Sequence, residues 1–260
     1  MRAMPTAQSG GVPIRYEVIG QGQPIVLVHG FSSSFDGQWR LSGWVDFLVG
    51  EGRQVIGLDC RGHGNSAKPL SPEAYAGNQF PDDVLAVMDA VGIERADIMG
   101  YSMGALVTLN LLSRHAERFT SAVVGGAGLP RPAADPQRRA ALVAALEAAD
   151  PATISEPRAL RFRQSAERRG NDLLALAALQ RSERTQADQA ALRRLKLPLL
   201  VVVGDKDEGL EAARQLVAAV AGAELVTLAG EDHQSAVAAQ GYKQAVGRFL
   251  QARQEIVTPA

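Results

Sequence analysis

The chain has 260 residues, of which 46% are hydrophobic and 21% are charged, and its net charge is −1. This length can bury a large core as one big domain or two small ones. Near neutrality argues against a nucleic-acid-binding protein, which would carry an excess of basic residues. The single cysteine, Cys60, excludes a disulfide scaffold and fits a reducing compartment.

Membrane and export signals do not stand out in the sequence. The longest apolar runs, 140–146 and 173–179, are seven residues long, far shorter than a membrane span. The first ten residues lack the basic and apolar pattern of a secretory leader. We therefore expect a cytoplasmic globular protein that binds neither membrane nor nucleic acid.

Strand-like and helix-like patterns alternate along most of the chain. The predicted strands are Ile14–Ile19, Pro24–His29, Gln54–Leu58, Asp97–Met99, Phe119–Val124, Leu197–Val203 and Glu224–Leu228. The predicted helices are Trp39–Val49, Phe80–Val91, Met103–His115, Gln137–Ala149, Asn171–Arg181, Leu210–Val220 and Gln234–Ala252. This alternation predicts the α/β class, with a mostly parallel central sheet flanked by helices.

Segment 129–196 breaks the alternation, because it contains helical patterns only. It carries 12 arginines and a net charge of +5, whereas the rest of the chain carries −6. We predict one α/β domain formed by residues 1–128 and 197–260, interrupted by a helical segment at 129–196, here called the insertion. The opposite charges predict electrostatic attraction between the two parts.

In a parallel sheet the ligand crevice lies at the carboxyl ends of the strands. The sequence Gly100-Tyr101-Ser102-Met103-Gly104 follows one predicted strand and opens a predicted helix. Such a sharp turn exposes the serine hydroxyl and turns the next backbone N–H towards the reacting oxygen. The alternative is a plain glycine-rich turn, but the strand before it and the helix after it favour Ser102 as a nucleophile.

Another strand ends in His29-Gly30-Phe31. Gly30 frees the backbone, so that the Phe31 N–H can point into the crevice beside the Met103 N–H as a two-donor oxyanion hole. An ordinary glycine turn is the alternative.

The turn at residues 59–66, which contains His63 between two glycines, is interpreted as structural. Its polar side chains are expected to bond to the backbone, and His63 is not chosen as the catalytic base. Cys60, in the same turn, lies away from the predicted chemistry.

The two last strands are followed by acids and a histidine. Asp205 and Asp207 follow one strand, and His233 follows the other. A serine hydroxyl needs a base to remove its proton, and an imidazole needs a carboxylate to hold its tautomer. Taken singly, the acids could cap a helix and His233 could be a surface residue. Taken together with Ser102, they predict a Ser-Asp-His triad in that chain order.

Over almost its whole length the sequence resembles the α/β-hydrolase fold superfamily, in particular its serine-nucleophile, esterase-like members. The matching motifs are His29-Gly30-Phe31, Asp59-x-Arg61-Gly62-His63-Gly64-x-Ser66, Gly100-Tyr101-Ser102-Met103-Gly104, Gly204-x-x-Asp207 and His233. The resemblance implies Ser102 as nucleophile, Asp207 rather than Asp205 as acid, His233 as base, and the backbone N–H groups of Phe31 and Met103 as oxyanion donors.

The resemblance also implies that the insertion is a lid over Ser102. The apolar positions expected to line its pocket are Leu142, Leu146, Leu160, Phe162, Leu173, Leu176 and Leu179. Asp232, directly before His233, departs from the family pattern and leaves a second acid near the base.

The function implied is a serine hydrolase, of carboxylesterase type, that cleaves a small ester-like substrate through an acyl-enzyme on Ser102 without metal or organic cofactor. A lactonase, a thioesterase or a hydrolase of carbon–carbon bonds in diketones would use the same triad. A small-molecule receptor without turnover is the alternative outside enzymes. The substrate and the oligomeric state are not predicted.

Overall fold

The computed structural model describes residues 4–129 and 136–257. Within them the strands are β1 (Thr6–Ser9), β2 (Val12–Ile19), β3 (Gln23–Val28), β4 (Arg53–Leu58), β5 (Ala96–Tyr101), β6 (Phe119–Gly125), β7 (Leu199–Gly204) and β8 (Glu224–Leu228). The α-helices are α1 (Trp44–Gly50), α2 (Gln79–Val91), α3 (Met103–Arg114), α4 (Pro136–Glu147), α5 (Pro157–Arg168), α6 (Leu173–Arg181), α7 (Gln189–Arg193), α8 (Leu210–Ala219) and α9 (Gln240–Val257).

The eight strands form one sheet in the order β1-β2-β4-β3-β5-β6-β7-β8. β1 pairs antiparallel with β2, and β2 antiparallel with β4, whereas the strands from β4 to β8 pair in parallel. The central strands are buried on both faces, which is why they are nearly continuous apolar runs in the sequence. The predicted fold class is confirmed.

Helices cover both faces of this sheet. Side chains of α2, α3 and α8 pack with one face, among them Val84, Leu109 and Leu216. On the other face Trp44 of α1 and Tyr242 of α9 pack against the sheet. None of the helices that the structure describes is long and apolar enough to cross a membrane.

The sequence prediction placed most elements within a few residues but missed some. β1, α5 and α7 were not predicted. Predicted helix 39–49 is instead a π-helical turn, Asp36–Arg40, followed by α1, because Gly43 adopts a left-handed conformation with φ +74°. Predicted helix 234–252 begins only at Gln240, since a 3₁₀ turn, Ala236–Ala238, comes first.

The insertion connects β6 to β7, and residues 130–135 at its start lie outside the described part of the chain. Helices α4, α5 and α6 share an apolar cluster that includes Val143, Leu146 and Leu176. From Ala178 onward the buried side chains, including Leu192 of α7, pack instead in the core that α2, α3 and α8 form with the sheet. The insertion therefore packs as a separate cluster in its first part and as part of the α/β core in its last part.

Candidate active site

Ser102 lies between β5 and α3 in a backbone conformation that only a sharp turn produces, with φ +55° and ψ −112°. The neighbouring glycines make the turn possible. A Cβ atom on Gly104 would lie 2.1 Å from the Val28 oxygen, and one on Gly100 would lie 2.2 Å from the Gly104 oxygen. The Ser102 N–H donates to the Gly125 oxygen at 2.8 Å, which fixes the turn against β6.

His233 reaches Ser102 from the loop after β8. Its Nε2 lies 2.9 Å from Ser102 Oγ, and its Nδ1 lies 2.7 Å from Asp207 Oδ2. An ionised carboxylate only accepts hydrogen bonds, so Nδ1 carries the proton and Nε2 presents its lone pair to the hydroxyl. Asp207 is buried and also accepts from the Gly209 N–H at 2.7 Å. The three side chains form a continuous hydrogen-bonded chain.

The other two aspartates of these loops face elsewhere. Asp205 accepts from the Gly230 N–H at 2.9 Å. Asp232 accepts from the N–H groups of Gln234 and Ser235 at 2.8 and 2.9 Å, and these two bonds lower the pKa of its exposed carboxyl. Asp232 therefore caps the turn that follows His233, and Asp207 is the acid on the imidazole.

The loop after β3 lies directly against Ser102. A Cβ atom on Gly30 would lie 3.4 Å from the Ser102 Cβ. The Gly30 N–H donates to the buried Gln38 Oε1 at 2.9 Å. Neither the Phe31 N–H nor the Met103 N–H donates a hydrogen bond to an acceptor within residues 4–129 and 136–257.

Two fully buried histidines tie this loop to the turn after β4. His29 Nε2 accepts from the Cys60 N–H at 2.9 Å, and His63 Nε2 accepts from the Ser32 N–H at 3.1 Å. Each ring donates its Nδ1 proton to a carbonyl, at 2.8 Å for His29 and 2.9 Å for His63. Desolvation by burial lowers the pKa of both imidazoles, that of His63 to about 3. His63 is thus a neutral structural residue.

Comparison with known proteins identifies the family. A family model described as alpha/beta hydrolase fold matches residues 23–177, more than half of the chain. The chain belongs to the α/β-hydrolase fold family.

Individual curated proteins match only part of the chain. It is 36% identical over 129 residues to the dihydrolipoyllysine-residue acetyltransferase component of the acetoin cleaving system of Pseudomonas putida, covering 47% of this chain and 32% of that protein. It is 35% identical over 103 residues to epoxide hydrolase B of Mycobacterium tuberculosis, covering 40% and 28%. The chain thus spans about a third of the length of these curated relatives.

Among solved structures, the enol-lactonase from Burkholderia xenovorans LB400 superposes with a TM-score of 0.78 at 24% identity, over 95% of this chain and 100% of that one. This superposition extends over both the α/β core and the insertion. At this sequence identity it shows that the two proteins share a fold.

The structure adds Tyr101 to the site, a residue that the sequence does not predict there. The Tyr101 hydroxyl donates to the His233 carbonyl at 2.8 Å, and the two rings lie 5.5 Å apart. Burial is the main cause of the raised pKa of Tyr101, so its proton stays available for this bond. In the sequence Tyr101 occupies only the variable position of the serine motif. No local pattern links it to His233, which lies 132 positions away.

The first part of the insertion packs an apolar cluster against the loop after β3. Phe162 of α5 stacks on Phe31 with ring centroids 5.1 Å apart and an interplanar angle of 9°. Leu142 and Leu173 pack in the same cluster as these two rings. Of the other predicted lining residues, Leu146 and Leu176 also belong to this cluster. Leu179 packs in the core that α2, α3 and α8 form with the sheet, and Leu160 is half-buried.

Five arginines of the insertion are paired with other groups of the protein. Arg163 donates to the carbonyls of Ala145 and Ala148, and Arg139 to those of Gln180 and Ser182. Arg181 pairs with Glu147, whereas Arg138 and Arg158 approach Glu208. In the described part of the chain, no group of three His, Cys, Asp or Glu side chains is arranged to hold a metal ion.

Proposed function

We propose that this protein is a serine hydrolase that cleaves small, uncharged carboxylic esters through an acyl-enzyme on Ser102. The observation that carries the proposal is the chain of two hydrogen bonds from Ser102 Oγ through His233 to Asp207, at 2.9 and 2.7 Å. A hydroxyl so paired becomes a nucleophile, because the imidazole takes its proton as the oxygen attacks.

In the first half-reaction Ser102 Oγ attacks the ester carbonyl carbon and His233 Nε2 accepts the hydroxyl proton. Asp207 stabilises the imidazolium, and the N–H groups of Phe31 and Met103 bind the carbonyl oxygen as it becomes an oxyanion. Each such donor lowers the activation free energy by on the order of 3 kcal/mol. The proton then passes to the leaving alcohol. In the second half, water attacks the acyl-enzyme with the same groups and releases the acid and Ser102.

An uncharged substrate fits the surroundings of Ser102. The insertion brings the apolar ring of Phe162 and the uncharged amide of Asn171 to the loop after β3. Five arginines of the insertion are paired with carbonyl or carboxylate oxygens of the protein. We propose that the insertion acts as the lid of this pocket.

The test of the nucleophile is turnover of a short-chain nitrophenyl ester by the wild type and by Ser102→Ala. We expect Ser102→Ala to lose at least about a thousandfold in kcat with an unchanged Tm, because attack and proton transfer are both lost. A fluorophosphonate probe should label the wild type at Ser102, as read by mass spectrometry. Activity of Ser102→Ala close to that of the wild type would refute the assignment.

The acid is tested by a matched pair of variants. Asp207→Ala removes the partner of His233 Nδ1, and we expect kcat to fall by about 10⁴. Asp205→Ala removes only the cap on Gly230 and should keep kcat within about tenfold of the wild type. The reverse order would move the acid to Asp205. A panel of lactones, thioesters and diketones, run against the same variants, distinguishes ester cleavage from the other reactions that this triad supports.

A further inference from the structure

The residue after the proposed oxyanion donor has an unusual backbone. Ser32 follows Phe31, is almost wholly buried, and has φ +57°. Ser32 and Ser102 are the two non-glycine residues with positive φ in the described chain. A side chain disfavours this left-handed conformation, so it persists only where neighbouring groups hold it.

Two side chains hold Ser32, one from each part of the molecule. His63 of the α/β core accepts from its N–H at 3.1 Å. Asn171 of the insertion donates from Nδ2 to its carbonyl oxygen at 3.0 Å, and from the same nitrogen to the Ala166 oxygen at 3.2 Å. Since both partners of Asn171 are carbonyl oxygens, which only accept, the amide nitrogen must face them. The amide therefore links Ser32 to the end of α5.

The neighbouring residue is held from the same two sides. The Phe31 ring is stacked on Phe162 of the insertion and is edge-on to His63, with centroids 5.9 Å apart. Between them, the insertion contacts fix the side chain of Phe31 and the carbonyl of Ser32. The Phe31 N–H lies within this clamped stretch.

We propose that Asn171 is a positioning residue for the oxyanion hole, so that the hole is complete only while the insertion is seated on the loop after β3. This inference rests on the proposed function. Without the amide, Ser32 can relax to negative φ. That rotation would carry the adjoining peptides with it and turn the Phe31 N–H away from the oxyanion. A hydrogen bond weakens steeply with such misalignment, and displacements of about 1 Å cost large factors in rate.

The test compares Asn171→Ala and the isosteric Asn171→Asp with two controls. Asn171→Gln keeps the amide, and Gln164→Ala changes an exposed side chain of α5. For a short nitrophenyl ester we expect Asn171→Ala and Asn171→Asp to lower kcat about ten- to a hundredfold with KM within about twofold. This is less than the full loss of an oxyanion donor, about 10²–10³. Asn171→Gln should recover part of kcat, and Gln164→Ala should match the wild type.

Hydrogen–deuterium exchange of the peptide that covers residues 29–35 reports the clamp without any turnover. We expect faster exchange in Asn171→Ala and wild-type exchange in Gln164→Ala. Faster exchange with unchanged kcat would overturn the positioning role, and unchanged exchange would overturn the clamp itself. A wild type as inactive as Ser102→Ala would overturn the proposed function and with it the catalytic part of this inference, while the exchange result would still decide whether Asn171 holds Ser32.

Discussion

Arg61 of the α/β core and Arg138 and Arg158 of the insertion lie in opposite surroundings. In the core, Arg61 is 1% exposed, and its Nε donates to Asp83 Oδ2 at 2.7 Å. In the insertion, Arg138 and Arg158 each leave more than half of the side chain exposed, and they approach Glu208 only to 3.6 and 4.0 Å. The same residue type is therefore a fixed internal partner at Arg61 and a solvated surface group at Arg138 and Arg158.

This difference decides what holds the two regions together. A buried ion must keep its partner, because the desolvation cost of leaving it alone is several kcal/mol. An exposed ion pair contributes about 0–1 kcal/mol and is screened by salt. The charges of −6 and +5 that the sequence divides between the two parts therefore contribute little to their contact. The uncharged contacts, Phe162 on Phe31 and Asn171 on Ser32, contribute more.

Breaking the buried pair should give the largest effect. Arg61→Met leaves the Asp83 carboxylate buried without its partner, and desolvation already raises the pKa of that carboxyl in spite of the hydrogen bonds from Arg61. We expect the free energy of unfolding to fall by about 3–5 kcal/mol, measured by urea denaturation. Arg214→Ala, which removes an exposed arginine 3.8 Å from Glu211, is the matched control and should cost less than about 1 kcal/mol. Equal losses of unfolding free energy in the two variants would contradict the contrast between buried and exposed arginines.

Much of this architecture could be predicted because local patterns carry it. Parallel strands buried on both faces are apolar runs, so β3 and β7 were located within a few residues. The rule that ligands bind at the carboxyl ends of such strands pointed to the loops that carry Ser102, Asp207 and His233. Strand β1 was missed because its four residues, Thr6–Ser9, include only one apolar side chain.

Contacts between distant residues have no such local signal. Asn171 meets Ser32 across 139 positions, and nothing in the sequence around either residue indicates the other. Helix α5 was missed because its composition is dominated by polar and basic residues, although Ala159, Arg163 and Ala166 are buried. Nothing in the sequence distinguishes the buried Arg163 from the exposed arginines near it.

Acid should destabilise the core through its buried histidines. The pKa of His63 is about 3 in the folded protein, against about 6.5 in an unfolded chain. Between these values the unfolded state binds the extra proton, so stability is complete above pH 6.5 and is lost as the pH falls. We expect His63 alone to account for about 2 kcal/mol of lost stability between pH 7.5 and 5.

The variant His63→Gln separates this contribution, since glutamine does not titrate. Its stability at pH 7.5 should be lower than that of the wild type, because the imidazole packing is lost. Its decline from pH 7.5 to 5 should be about 2 kcal/mol shallower. The half-exposed His115 supplies the control His115→Gln, whose decline should resemble that of the wild type. A wild-type decline in His63→Gln would assign the acid sensitivity to other groups.

The smallest expected effect is that of salt on the insertion. Raising ionic strength from about 0.1 to 1 M shortens the Debye length from about 10 to 3 Å and so weakens the approach of Arg138 and Arg158 to Glu208. Because these side chains are exposed, kcat/KM for a neutral ester should change by less than about threefold. In Glu208→Gln, kcat/KM should change with salt as little as in the wild type. Glu211→Gln, on the exposed face of α8, is the control for this variant. A tenfold effect of salt that disappears in Glu208→Gln alone would show that charge, rather than Phe162 and Asn171, holds the insertion on the loop after β3.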